Sequence, residues 1–166
     1  VAITEIIMDS NSKVFCNRLA ALDVNHYLSS GDFGTADLEL ALYDLSDMLE
    51  GQELTDVLAD IFRFYEKHPD IELGNPGPLV TLMENSGINY VPALLTSLES
   101  SPTYVTVNTL ARIINTDIDD ADKVRFVAII EAIAKSTGGN ESAIATAKEY
   151  LEHRALTWGR TQAASK

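Results

Sequence analysis

Residues 35–49 read Thr-Ala-Asp-Leu-Glu-Leu-Ala-Leu-Tyr-Asp-Leu-Ser-Asp-Met-Leu, and this stretch decides the fold class. Leu38, Leu42, Leu45 and Leu49 recur at i, i+4, i+7 and i+11, the stripe by which an amphipathic helix buries one face. Thr35 supplies an N-cap hydroxyl and Gly51 a stop. Residues 53–68 repeat the pattern through Leu54, Leu58, Ile61 and Tyr65. Pro69 ends it, because a proline disfavours helical geometry at the residue before it.

The same reading extends in both directions. Upstream, Ser12 to Leu28 place Phe15, Leu19, Leu22 and His26 at helical spacing, which predicts one helix ending before the break at Gly31-Asp32-Phe33-Gly34. Downstream comes a loop from Pro69 to Pro78, then a short helix from Leu79 to Asn85 closed by Gly87. Pro92 suits the first turn of a helix running to Ser101, where a missing amide costs little. Pro102-Thr103 opens the next helix, to Asn115. Asp117 to Asp120 favour a following N-terminus through the helix dipole, and Val124, Val127, Ile130 and Ile133 are its expected apolar face. After the turn Thr137-Gly138-Gly139-Asn140, a last helix from Glu141 to Leu156 precedes a polar tail with Arg160 and Lys166. Val1 to Met8 and Tyr104 to Val107 are β-branched or aromatic, but each is short and isolated, and no hairpin signal joins them. The expected fold is all-α: seven or eight short helices in an irregular HEAT- or armadillo-like stack or a compact bundle. Residues 1–156 form the expected single domain, with 157–166 as its tail.

Composition narrows the function. The 166 residues are 46% apolar, which suits a packed core. Twenty-five acids against twelve bases give a net charge of −13. That sign opposes the counterion exchange by which proteins grip nucleic-acid backbones, and it opposes docking on anionic lipid. The natural complement is a basic protein. The longest apolar run, Phe126 to Ile130, is far too short to span a membrane, and no basic residue precedes Lys13 as a secretory signal would require. A cytoplasmic setting is the resulting expectation. The lone Cys16 excludes an internal disulfide and is expected as a small buried hydrophobe.

The charge is concentrated. Residues 32–72 contain twelve acids and two bases, Arg63 and Lys67, a local net of −10. At about 100° per residue, Asp37, Asp44 and Asp47 fall away from the leucine stripe of their helix, with Leu40 and Tyr43 in the same outward sector. An aromatic anchor and an apolar contact inside a polar rim are the parts of a protein-docking face. Glu53, Asp56 and Asp60 fall outside the stripe of the next helix. The candidate partner-binding residues are therefore Asp37, Glu39, Leu40, Tyr43, Asp44, Asp47, Glu53, Asp56 and Asp60. The plainer alternative is a solvated acidic surface.

No catalytic constellation accompanies this face. His26, His68 and His153 lack metal-ligand spacing. Gly74-Asn75-Pro76-Gly77-Pro78 offers no lysine to a phosphate. Asp117 to Asp122 resemble the start of a calcium loop, yet its sixth and twelfth positions hold Asp122 and Ala128 in place of glycine and glutamate, and helix capping explains the aspartates better. A non-enzymatic chain without metal or cofactor is expected.

Three segments carry a resemblance: Gly74-Asn75-Pro76-Gly77-Pro78-Leu79-Val80, then Ser97-Leu98-Glu99-Ser100-Ser101-Pro102-Thr103, then Thr106-Val107 followed by Leu110, Arg112, Ile113, Ile114 and Asn115. Together, over residues 73–116, they are similar to small helical bacterial proteins that include immunity proteins of polymorphic-toxin and contact-dependent growth-inhibition systems. The resemblance implies function by binding: recognition and neutralisation of one cognate toxin, expected to be a basic nuclease. The competing expectation is a HEAT-like scaffold or adaptor for a peptide or regulatory protein. Within the segment, Arg112 is expected to bond loop carbonyls or to pair with Glu84 or Glu99.

Overall fold

A computed structural model describes residues 11–31, 34–49 and 52–163. Among them every regular element is helical: α1 (Asn11–Ala21), α2 (Val24–Ser29), α3 (Gly34–Ser46), α4 (Gln52–Lys67), α5 (Pro78–Asn85), α6 (Val91–Ser100), α7 (Tyr104–Ile114), α8 (Asp120–Ala134) and α9 (Glu141–Ala163). The β-branched stretch at Val1 to Met8 and the stop at Gly51 lie outside the described residues.

Two helices organise the packing. Helix α4 buries Leu54, Val57, Leu58, Ile61, Phe62, Phe64 and Tyr65, a sector broad enough to meet α1, α6 and α7 at once. Helix α7 is buried almost all round, from Val105 to Ile114, because α6, α8 and α9 surround it. Each fully buried aliphatic or aromatic side chain here, such as Ile61 or Leu110, contributes about 1.5–3 kcal/mol relative to an exposed position. Helices α2, α3 and α5 pack in succession at one end, with α1 touching both α3 and α4, and α8 and α9 close the other end against α7. The α1–α4 contact skips two helices, so the stacking is irregular.

Proline and threonine set the starts of α5, α6 and α7. Pro92 occupies the first turn of α6 as expected, and Pro78, expected as the last loop residue, begins α5 instead. Thr103 caps α7 reciprocally with Thr106: Thr106 donates its amide to the Thr103 hydroxyl, and Thr103 donates its amide to the Thr106 hydroxyl at 2.9 Å. Asp119 caps α8 by accepting the Asp122 amide at 2.8 Å, the capping role expected of that aspartate cluster. Arg112 takes Glu84 among its candidate partners, donating from Nε and Nη2 to the two carboxylate oxygens at 2.9 and 2.8 Å. This bidentate pair ties α7 to α5.

Several sequence expectations need correction. The single helix expected over Ser12 to Leu28 is two, because the Asp23 carboxylate accepts the His26 amide and starts a new helix. The break turns Val24 inward and leaves His26 exposed. Thr35 is not the cap of α3, which already includes Gly34. A Cβ on Gly34 would come within 1.8 Å of the Tyr27 carbonyl oxygen, so only glycine lets α3 approach α2 this closely. Leu49 is buried as the stripe predicts, yet it lies past the end of α3, in a turn closed by its own amide on the Ser46 carbonyl. On α8, Val124 is 71% exposed and Phe126 takes the inward place expected of it. Helix α9 continues seven residues beyond the expected Leu156, over a stretch with no proline to stop it.

Tyr65 is fully buried on α4, and its hydroxyl finds no hydrogen-bond partner among the described residues. An unpaired buried hydroxyl is destabilising by about 1–3 kcal/mol. Tyr65→Phe keeps the ring and removes the orphan, so it should raise unfolding stability by about 1 kcal/mol in urea titration. A loss of stability would show that the hydroxyl is satisfied.

Candidate functional site

Helix α3 presents its acidic face as the sequence predicts. With Leu38, Leu42 and Leu45 turned into the core, Asp37, Leu40, Tyr43, Asp44 and Asp47 are all exposed. Leu40 is 62% and Tyr43 43% exposed, large apolar surfaces for side chains surrounded by three carboxylates. Glu39 is half-buried and belongs to the flank of the helix. No lysine, arginine or histidine occurs from Gly34 to Leu49, so nothing on α3 itself offsets the negative field.

The acids of α4 are placed differently. Asp56 is exposed, but Glu53 and Asp60 are half-buried where α4 meets α1. Asn11 Nδ2 donates to Glu53 Oε2 at 3.3 Å, and the Ser12 hydroxyl donates to the Glu53 carbonyl. Asp60 accepts from the Cys16 thiol at 3.3 Å and pairs with Arg63 one turn on. The packing of α1 on α4 therefore engages Glu53 and Asp60 in the scaffold. The exposed docking candidate narrows to Asp37, Leu40, Tyr43 and Asp44 of α3 and Asp47 in the turn that follows it, with Asp56 apart on α4.

Two grooves flank α3. Toward α1, Asp44 faces Arg18 across a cleft walled by Leu22 and Leu45. Toward α5, Tyr43 and Asp47 form the lip of a cleft of about 420 Å3 with Leu49, Leu54, Thr81 and Leu82 behind them. The acidic, aromatic face is thus a ridge between two depressions, a shape that admits side chains from an opposing surface. Nothing in the spacing of charges announces either groove, because each needs α1 or α5 to form its second wall.

A third cleft, of about 190 Å3, lies between α1 and α4 and gathers Cys16, Asp60, Arg63, Phe64 and His68. Cys16 is half-buried and hydrogen-bonded, where the sequence suggests a simple hydrophobe. Burial, then the hydrogen bond to Asp60 and its charge, push the thiol up to about 11 from its usual 9.0. Such a thiol remains protonated and is a poor nucleophile. Burial holds the His68 imidazole below its ordinary value, with the Lys67 charge acting in the same direction. Its ring lies 5.1 Å from that of Phe64, a packing position. Among the described residues no cluster of histidine, cysteine and carboxylate has the geometry of a metal site.

These shifts set a pH dependence. A thiol raised in the folded state gives up its proton first in the unfolded chain, so stability falls as pH rises from 9.0 towards about 11. The buried Tyr65 hydroxyl, also raised by desolvation, adds to the loss once pH passes 10.0. The lowered His68 acts at the other end, since stability declines as pH falls through 6.5 and the unfolded imidazole charges first. Urea midpoints should therefore form a plateau between about pH 6.5 and 9. Cys16→Ala should flatten the first part of the alkaline decline, and an unchanged profile in that variant would remove the thiol from the account.

No described helix is long and apolar enough to cross a membrane. Compared with family models, curated proteins and solved structures, the chain gives no significant match to any of them.

Proposed function

We propose that this chain is an immunity protein: it binds a cognate bacterial toxin, a basic nuclease, and blocks it without catalysis of its own. The observation that carries the reading is the outward face of α3, where Leu40 and Tyr43 stand exposed among Asp37, Asp44 and Asp47. A solvated surface has no need of a leucine and a tyrosine there, whereas a docking face uses both as anchors. The charge indicates the partner's sign. A nuclease cleft is built to hold phosphates, and a row of carboxylates offers it the same charge. The resemblance over residues 73–116 supplies the toxin class, and the cytoplasm is where such a nuclease would have to be met.

The test is co-expression with the toxin domain encoded in the neighbouring reading frame. The expected result is restored growth and co-purification of the two proteins in equal amounts. Folded protein that neither protects nor co-purifies would overturn the reading. Binding of a basic peptide by such a non-protecting chain would favour the adaptor alternative.

A further inference from the structure

We propose that the groove between the end of α3 and α5 receives an arginine side chain of the partner, its guanidinium held between the Tyr43 ring and the Asp47 carboxylate. This rests on the reading of α3 as the docking face and names the chemistry that the groove beside it recognises.

Three observations carry it. The first is position. Tyr43 and Asp47 are four residues apart, and the Asp47 amide bonds the Tyr43 carbonyl at 3.0 Å, so the two side chains stand one above the other on the same lip. The second is the shape and lining of the groove. Its volume of about 420 Å3 takes a long side chain, and the half-buried Leu82, backed by the buried Leu49 and Leu54, gives an aliphatic stem an apolar wall. The third is charge. Neither α3 nor α5 contains a basic residue, and the only acid on α5, Glu84, is already occupied by Arg112. Among the described residues no hydrogen bond or ion pair engages the Asp47 carboxylate. The groove therefore combines an apolar wall, an exposed aromatic ring and a carboxylate with no partner among the described residues.

Arginine matches that combination better than lysine. Its planar guanidinium stacks on an aromatic ring while its N–H groups fork onto a carboxylate, which a compact ammonium cannot do together. An anionic ligand would meet repulsion from Asp47, and no cation stands among the described residues that line the groove.

The probe is N-acetyl-arginine amide, titrated into the isotope-labelled full chain and followed by amide chemical shifts. Saturable shifts are expected at Tyr43, Asp47, Thr81 and Leu82. N-acetyl-citrulline amide, of the same shape without the charge, and N-acetyl-leucine amide should leave them unmoved, and N-acetyl-lysine amide should bind several-fold more weakly. Tyr43→Leu and Asp47→Asn lie at exposed positions, so both should fold, and each should weaken arginine binding by about fivefold or more. Equal saturation by citrulline or leucine would overturn the proposal in favour of a plain apolar hole. Shifts at the same residues on diluting the protein alone would overturn it in favour of a second copy of the chain. An unmoved groove at saturating arginine would overturn it outright. The probe contains no toxin, so the two failures separate: an arginine-binding chain that does not protect cells loses the immunity reading, and a protective chain with an unresponsive groove loses only this one.

Discussion

Phe15→Ala should destabilise the chain by about 3–5 kcal/mol, the range for truncating a fully buried phenylalanine. Phe15 has no exposed surface, and it lies on α1, the helix that packs on both α3 and α4. Stability of a domain this size is about 5–15 kcal/mol, so the loss takes a large share of it. The effect should also be local in origin. Helix α1 supplies one wall of two clefts and the thiol that engages Asp60, so loosening it frees Glu53 and Asp60 from their contacts with α1. Hydrogen exchange should show α1 and the first half of α4 losing protection before α7. Leu28→Ala, at a position 48% exposed, is the control and should stay within about 0.5 kcal/mol of wild type. A Phe15→Ala loss no larger than that control would mean that α1 does not contribute to the core as placed.

The helical class and the direction of the α3 face were legible because both depend on one helix at a time. A leucine stripe at i, i+4 and i+7 fixes which side of α3 is buried, and Leu40, Tyr43, Asp44 and Asp47 follow by rotation alone. The same rotation places Glu53 and Asp60 off the main stripe of α4, but rotation cannot say that α1 lies over that sector. Which helix covers a flank is a matter of tertiary packing, and the charges gave no sign of it. Asp23 was a missed local signal. An aspartate three residues before an amide it can cap is a helix start, and the continuous spacing of Phe15, Leu19 and Leu22 concealed it. Val124 went wrong for a different reason. The α8 pattern holds apolar residues on more than one side, so Phe126 and Val124 competed for the inward place, and the packing of α8 on α7 and α9 decided it. The grooves beside α3 were out of reach for the same reason as the α1–α4 seam: their second walls come from residues distant in sequence.

On the proposed immunity function, replacing Asp37, Asp44 and Asp47 by lysine should weaken toxin binding by at least tenfold and should act first on the association rate. Opposite charges across a docking face speed encounter by one or more orders of magnitude at low salt, and the gain shrinks as the Debye length contracts towards about 8 Å at physiological ionic strength. The triple variant should therefore associate slowly at every salt concentration, while wild type starts fast and slows steeply as salt is added. Asp60 is left out of the set because reversing it would break its contacts with Cys16 and Arg63 and disturb the α1–α4 packing. Reversal of Asp117, Glu149 and Glu152, three exposed acids between α7 and α8 and on α9, shifts the net charge equally and serves as the comparison. If position matters, that variant should associate nearly as fast as wild type. If both variants slow alike, only net charge matters and α3 is not the face. Tyr43→Ala should behave differently again, with a nearly normal association rate and a faster dissociation rate, because a buried aromatic anchor is worth about 2 kcal/mol or more while an exposed ion pair is worth about 0–1 kcal/mol. Wild-type kinetics in both the triple variant and Tyr43→Ala would place the contact away from α3 and leave its carboxylates as a solvated surface.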